Sequence, residues 1–235
     1  MKILSLGNIQ VYQFELYPVQ SNMFLICKGS NAIVVDPHYS LKALEILESN
    51  TVDNITILLT HEHPDHTSGV NFFKSNFKAS LVCNDICAIK IAKKRNNAPL
   101  VILMQLTEID KKSGTKLAQE YKKNNPPYSC FADVTFNKEK KIDWYGCPIL
   151  LTSAPGHSPG SVAIEFNNQL LFTGDYLIKN TPIITRFKDS SNYDLNNITI
   201  PYFEKVNKGL LILPGHGEIY SFKDIEGDPL KWLRI

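Results

Sequence analysis

The chain has 235 residues, of which 43% are hydrophobic and 20% are charged, and its formal net charge is +2. This composition is typical of a soluble globular protein with a substantial core. The small net charge gives no support for nucleic-acid binding, and no apolar run reaches the ~18–20 residues of a membrane span, so we expect neither partner.

The localisation and the domain count follow from the same composition. The first twenty residues lack the continuous apolar segment of a signal peptide, and the five cysteines are widely spaced, as in proteins of a reducing compartment. We therefore predict a single cytoplasmic domain over residues 1–235.

Strand and helix patterns alternate through the first third of the chain. Apolar runs at 23–29 and 31–37 predict a hairpin whose turn lies near Gly29. The spacing of apolar residues predicts a helix over 40–50, with Ser40 as its N-cap. The next predicted elements are a buried strand at 55–60, a helix over 68–77 and a strand at 79–84.

The segment from residue 85 to about 135 differs in character. Residues 85–125 are polar and helix-forming, with Pro99 separating two helices and Pro126 closing the segment. They carry nine lysines and arginines against four acids. This excess is consistent either with a solvated helical face or with a basic flap that attracts an anionic substrate. We predict a helical insertion at about 85–135.

Strand patterns resume after the insertion. The predicted strands lie at 133–136, 148–153, 161–166 and 169–173, and a further buried strand lies in 209–217, where it ends in a glycine-rich turn. The residues after 217 predict one terminal helix. Strands and helices around a common core indicate a mixed α+β fold.

The run THEHPDH at 60–66 contains the strongest chemical signal. His61 and His63 follow a predicted strand, and residues two apart in extended backbone project to the same side. Pro64 suits the first position of a helix, which leaves Asp65 and His66 at the helix N-terminus. A zinc-protease HExxH helix is excluded by Pro64 and by the aspartate at position 65. Glu62 is then predicted to face solvent.

Three more ligand-type residues follow strand-like runs further along the chain. They are His157 in SAPGHSPGS, Asp175 in LLFTGDY and His216 in LPGHG. Imidazole and carboxylate ligands favour zinc, iron or manganese. The number of ligand-type residues exceeds what one tetrahedral ion uses, so we expect two ions about 3.5 Å apart that share a carboxylate.

The ordered motifs VVDP, THEHPDH, PGHSPGS, TGDY and LPGHG resemble those of the metallo-β-lactamase-fold hydrolase superfamily, with the glyoxalase II-like branch nearest in pattern. The resemblance spans nearly the whole chain except 85–135. It implies an α+β four-layer αββα sandwich with a dinuclear site at one edge of its two sheets. The residues implied as ligands are His61, His63 and His157 for the first metal, Asp65, His66 and His216 for the second, and Asp175 as the bridge.

The same resemblance implies a function. Two divalent ions, Zn²⁺ in the first place with Fe or Mn as alternatives, would share a hydroxide that attacks the substrate, with Asp65 and Asp175 as the catalytic carboxylates. Asp36 is implied as the residue that orients the ligand loop. The family's β-lactamases usually carry a cysteine ligand where this chain has TGDY, so lactamase activity is not expected.

The expected substrate is a thioester or activated ester of an anionic small molecule or carrier. A lactonase or phosphodiesterase of the same fold is the near alternative. A persulfide dioxygenase with a single iron, held by His61, His157 and Asp175, is the alternative from a different class. Candidate substrate contacts are His38, Tyr176, Lys93, Lys94 and Arg95. The oligomeric state stays open, with a dimer as one alternative.

Overall fold

The computed structural model describes residues 1–7 and 9–234, and within these residues the strands form two sheets. The strands of the first sheet are β1 (Lys2–Leu6), β2 (Ile9–Leu16), β3 (Ser21–Lys28), β4 (Asn31–Val35), β5 (Asn54–Leu58), β6 (Lys78–Asn84) and β7 (Val134–Phe136). They are arranged in chain order.

The first sheet begins as an antiparallel meander. Strands β1 to β4 each pair with the next, and the hairpin of β3 and β4 closes with Lys28 opposite Asn31. This confirms the predicted hairpin. Strand β3 is buried over nearly its whole length, as its apolar sequence requires. Further along, β6 and β7 pair in parallel.

The second sheet has the order β13-β12-β11-β10-β9-β8. Its strands are β8 (Glu139–Trp144), β9 (Cys147–Ser153), β10 (Val162–Phe166), β11 (Leu170–Gly174), β12 (Leu211–Pro214) and β13 (Tyr220–Ser221). Strands β8 to β11 form an antiparallel meander, and β12 runs parallel to β11. The carboxyl ends of β11 and β12 therefore lie at the same edge of this sheet.

Helices connect and flank the strands. They are α1 (Leu41–Ser49), α2 (Pro64–Thr67), α3 (Val70–Asn76), α4 (Asp85–Ile91), α5 (Leu100–Ser113), α6 (Leu117–Asn124), α7 (Asn192–Asp194) and α8 (Ile200–Lys205). The hydroxyl of Ser40 accepts from the backbone N–H of Ala43 and caps α1, as predicted. A π-helical turn over Leu195–Thr199 joins α7 to α8.

The chain divides into two compact units, each with its own apolar cluster. The first unit comprises 1–57, 63–80 and 89–131, and the second comprises 58–62, 81–88 and 132–235. In the first unit, α5 and α6 pack around buried Ile102, Leu106 and Tyr121. In the second, the π-helical turn and α8 pack over apolar residues of β11 and β12. The prediction of a single domain stays a prediction.

Comparison with the predicted elements gives one correction and several omissions. The predicted helical insertion is confirmed, since α4, α5 and α6 all lie within 85–135. The predicted terminal helix is wrong: within the described part of 218–235, Ser221 caps only a 3-10 turn over Phe222–Asp224, and Gly227 with a φ of 78° interrupts further helix. Residue 235 lies outside the described residues. Strands β1, β2, β8 and β13 were not predicted.

No helix in residues 1–7 and 9–234 combines the length and the apolar character that a membrane crossing requires.

Candidate metal centre

His61 lies just beyond the end of β5 in a segment held by backbone contacts. The N–H of Val162 donates to the carbonyl of Thr60 at 2.7 Å, so the segment is fixed to the start of β10. The His61 ring is buried, and its Nδ1 lies 3.0 Å from the Thr60 hydroxyl. Its Nε2 lies 3.9 Å from Oδ2 of Asp175. The ring is therefore oriented from one nitrogen and presents the other to a carboxylate.

His157 is held by its neighbours on the backbone and on the ring. Its Nδ1 lies 2.9 Å from the carbonyl of Ile184, and since a carbonyl only accepts, Nδ1 carries the proton. Its Nε2 lies 3.3 Å from Oδ2 of Asp175. The hydroxyl of Ser190 donates to the His157 carbonyl at 2.7 Å. This arrangement is the one that orients metal-binding imidazoles, in which the remote ring nitrogen is fixed by a carbonyl.

The side chain of Tyr176 supports the loop that carries His157. It is 1% exposed, and its hydroxyl donates to the carbonyl of Ala154 at 2.7 Å and accepts from the N–H of His157 at 2.9 Å. Burial raises the pKa of this phenol, so it stays protonated as a donor. The structure gives Tyr176 a supporting position, and the predicted substrate contact stays a prediction.

Asp175 follows β11 and presents its two carboxylate oxygens to different histidines. Oδ2 lies near the Nε2 atoms of His61 and His157, whereas Oδ1 lies 3.5 Å from Nε2 of His216. His216 follows β12, whose turn is tied to β11 by the N–H of Gly215 donating to the carbonyl of Gly174. Ligand-type atoms of His61, His157 and Asp175 all lie within 4.8 Å of one another.

A second group of ligand-type residues, Asp36, Asp65 and His66, lies in the first unit. Nδ1 of His66 lies 3.0 Å from Oδ2 of Asp36, and both side chains are buried. The other ring nitrogen, Nε2, lies 3.4 Å from Oδ2 of Asp65. Asp36 has a φ of 51°, a left-handed conformation that aspartate tolerates better than most residues. His66 is thus oriented by one carboxylate and directed toward another.

Helix α2 carries Asp65 and His66, and its start is shaped by the sequence. His63 is the extended N-cap residue, and its carbonyl accepts from the N–H of His66 at 3.0 Å. Pro64 occupies the first helical turn, where its missing N–H costs nothing. The hydroxyl of Tyr128, from the insertion, donates to the carbonyl of Pro64 at 3.2 Å. The insertion therefore braces the helix that carries two predicted ligands.

Glu62 corrects the sequence prediction. It was expected to face solvent, but it is 6% exposed, and its Oε2 accepts from the hydroxyl of Ser158 at 3.0 Å. A residue between two same-side histidines points the opposite way, and here that opposite side is filled by the loop at 158–161. The sequence also gave no sign of the supporting contacts of Ser158 and Tyr128, because neither residue has a side chain typical of a metal ligand.

The remaining predicted residues lie in two different environments. His38 is buried, with Nδ1 3.1 Å from the carbonyl of Tyr39, and burial lowers its pKa. Lys93, Lys94 and Arg95 are exposed in the turn after α4. A substrate contact of any of these four residues stays a prediction.

The donor set fits divalent metal ions. Imidazole nitrogens with their remote Nδ1 atoms engaged, next to carboxylate oxygens, are the ligands that zinc and related ions use in catalytic sites. The five cysteines are buried and form no disulfide in the described structure.

The chain is similar in sequence to several known proteins. Residues 16–216 match the sequence model of the metallo-β-lactamase superfamily. A protein described as a probable metallo-hydrolase from Methanocaldococcus jannaschii is 30% identical over 210 residues, which cover 86% of this chain and 90% of that protein. A hydroxyacylglutathione hydrolase from Haemophilus influenzae is 26% identical over 213 residues, which cover 86% and 90%, respectively.

The fold is shared with solved structures as well. A B3 metallo-β-lactamase superposes with a TM-score of 0.68 at 21% identity, and the alignment covers 91% of this chain and 94% of that chain. This likeness confirms the predicted fold class.

Proposed function

Because the chain belongs to the metallo-β-lactamase superfamily, whose fold and His/Asp groups imply divalent metal ions, we propose that it is a dinuclear hydrolase of thioesters or similarly activated esters. The first ion would be held by His61, His63 and His157, and the second by Asp65, His66 and His216. Asp175 would bridge them. The proposed ions are Zn²⁺, with Fe or Mn as alternatives.

One observation carries the dinuclear part of the proposal. Oδ2 of Asp175 lies near two imidazoles, at 3.9 and 3.3 Å, while Oδ1 lies 3.5 Å from a third. A carboxylate that binds one ion needs only one of its oxygens next to the other ligands of that ion, whereas a carboxylate that bridges two ions uses both oxygens. The covalent chain adds a second argument, since the proposed ligands of both ions occur within the six residues from 61 to 66.

When bound, such ions lower the pKa of water and polarise a carbonyl oxygen, which is the chemistry that ester hydrolysis requires. The side chains of this protein supply orientation and charge. His66 is fixed by Asp36 and His157 by the Ile184 carbonyl, so both imidazoles are held before any ligand arrives. We propose that the Asp65 carboxylate, 12% exposed at the start of α2, orients the attacking water and accepts its proton.

The substrate class is proposed from charge and from a relative. The relative from Haemophilus influenzae is described as a hydroxyacylglutathione hydrolase, which acts on a thioester. The exposed Lys93, Lys94 and Arg95 supply positive charge in the turn between α4 and α5. An anionic thioester, of a small molecule or of a carrier, suits both observations.

The test combines metal analysis with a substrate panel. Protein purified without added metal is examined by elemental analysis and then assayed, at equal metal loading, against acyl thioesters of glutathione and of coenzyme A, a lactone and a phosphodiester. Two ions per chain and fastest turnover of a thioester are expected. Fastest turnover of the lactone or the phosphodiester would contradict the substrate class. One iron per chain with oxygen consumption on a persulfide would contradict the hydrolase.

A further inference from the structure

A buried carboxylate lies between two of the proposed metal ligands in sequence and is not used by the proposed chemistry. Glu62 is 6% exposed, and a carboxylate at this depth is costly unless its oxygens are hydrogen-bonded. Its Oε2 accepts a hydrogen bond of 3.0 Å from the hydroxyl of Ser158. Glu62 directly follows His61, and Ser158 directly follows His157. The contact therefore joins the immediate neighbours of two proposed ligands.

The loop that receives Glu62 is closed by its own hydrogen bonds. The hydroxyls of Ser158 and Ser161 lie 2.9 Å apart, and the N–H of Ser158 donates to the Ser161 hydroxyl at 3.2 Å. The N–H of Ser161 in turn donates to the Ser158 carbonyl at 3.3 Å. A shift of the Glu62 carboxylate would thus be transmitted to the backbone next to His157.

Gly160 shows how closely the loop approaches Glu62. A Cβ atom at this position would collide with Oε2 of Glu62 and would lie 2.7 Å from the backbone nitrogen of Cys87. The carboxylate and the backbone of α4 therefore leave room for glycine only, and the loop is enclosed from both sides.

We infer that Glu62 is a positioning residue that fixes His61 and His157 relative to each other, an inference that rests on the proposed function. Its carboxylate connects the segment after β5 to the loop after β9 through Ser158, and each end of this connection lies one residue from an imidazole. Residues that orient metal ligands typically contribute about 10–100-fold to metal affinity. Glu62 acts on the site through these neighbours and contacts no substrate.

The experiment measures zinc affinity rather than turnover. Metal-free protein is titrated with Zn²⁺ against a chromophoric chelator, for the wild type and for Glu62→Ala, Glu62→Gln and Ser158→Ala. Glu62→Ala and Ser158→Ala are expected to weaken zinc binding by about 10–100-fold. Glu62→Gln keeps an oxygen that can accept from Ser158 and is expected to recover most of the affinity. The double variant Glu62→Ala/Ser158→Ala should lose no more zinc affinity than the single variant with the larger loss, because the two residues act through one contact.

Tyr202→Phe is the matched control. The Tyr202 hydroxyl donates to the carboxylate of Glu165 at 2.9 Å in the same unit, so this variant loses a comparable hydrogen bond away from the ligands. It should lower thermal stability without changing zinc affinity. The visible spectrum of the Co²⁺-loaded protein supplies a second readout, and it should change in Glu62→Ala but not in Tyr202→Phe.

The outcomes separate this inference from the proposed function. Zinc affinity in Glu62→Ala within about twofold of the wild type, or an equal loss in Tyr202→Phe, would overturn the positioning role while leaving the hydrolase proposal intact. A wild-type protein that binds no zinc or other divalent ion would instead overturn the proposed function, and the inference with it. If Glu62→Ala fails to fold, Ser158→Ala tests the same contact from the loop side.

Discussion

Nδ1 of His66 lies 3.0 Å from Oδ2 of Asp36, and this buried pair directs the other ring nitrogen of His66 toward Asp65. The two residues are thirty positions apart in the sequence, and the contact orients a proposed metal ligand through its Nδ1 atom. An ionised acceptor makes a stronger hydrogen bond than a neutral one and raises the basicity of the imidazole that it orients.

Asp36→Asn is expected to weaken metal binding by about tenfold while preserving the fold. Asparagine tolerates the left-handed backbone of position 36 and keeps an oxygen that accepts from His66, so only the charge is removed. Chelator competition measures the affinity, and the melting temperature measures the fold. Unchanged affinity in a folded Asp36→Asn variant would show that the charge of Asp36 is not needed.

Asp175→Ala is expected to lower metal content from two ions per chain to at most one and to abolish thioester turnover. The reason is that its two oxygens face different imidazoles, so both proposed ions would lose a ligand. Elemental analysis checks the stoichiometry. Asp143→Asn serves as the control, since Asp143 is an exposed carboxylate near the end of β8 that accepts from the N–H of Gly146. Full activity in Asp175→Ala would refute the bridging role.

Tyr176→Phe is expected to destabilise the fold by about 1–3 kcal/mol, because it leaves the buried N–H of His157 and the carbonyl of Ala154 without their shared partner. Denaturant unfolding measures the free energy of unfolding. Metal affinity should fall as well, since the hydroxyl holds the backbone of the His157 loop. A variant as stable as the wild type would show that water or a neighbouring group replaces the hydroxyl.

The positions of His61, His157, Asp175 and His216 after strands could be predicted, because each of them comes after a strand-like run in the sequence. The residues that support these side chains could not be predicted in that role. Glu62, Ser158 and Tyr128 act across long stretches of sequence, and nothing local distinguishes a buried glutamate in THEHPDH from an exposed one. The alternation rule gave the side on which Glu62 lies, but it could not show that a loop nearly one hundred residues away fills that side.

The prediction of a terminal helix was wrong for a related reason. The residues after 217 have a composition that a helix tolerates, but the capping box of Ser221 and Asp224 closes a single 3-10 turn. Buried Leu230 and Leu233 then pack into the apolar cluster of the second unit from an irregular segment. Tertiary packing decided the conformation where local propensity was weak.

Reversing the charges of Lys93, Lys94 and Arg95 to glutamate is expected to raise KM for an anionic thioester and to leave kcat little changed. These exposed charges would act by attracting the substrate, so the effect should shrink as salt is added. Steady-state kinetics at two ionic strengths checks this. Reversal of Lys138, Lys140 and Lys141 in the β8 region, which changes the net charge equally, is the control. If both triple variants raise KM equally, the effect comes from the net charge of the protein and not from the positions of residues 93–95.

Asp110 links the stability of the α5–α6 connection to pH. Its carboxylate accepts from the hydroxyl of Thr115 at 2.6 Å and from the N–H groups of Leu117 and Ala118 at the start of α6. These bonds, that of Thr115 foremost, lower the pKa of Asp110 below its usual value of 3.8. A carboxyl whose pKa is lower in the folded state stabilises that state above the unfolded pKa and loses this contribution as the pH falls through the folded pKa.

Hydrogen-exchange protection of the first turn of α6 should therefore be constant above about pH 5 and should fall as the pH drops below the unfolded pKa of Asp110. Asp110→Asn cannot ionise, so its protection should be lower at neutral pH and should lack this pH dependence. The amides of α1, which Ser40 caps with a hydroxyl that does not titrate in this range, provide the internal control. Equal pH dependence of α6 in the wild type and in Asp110→Asn would assign the effect to another acid.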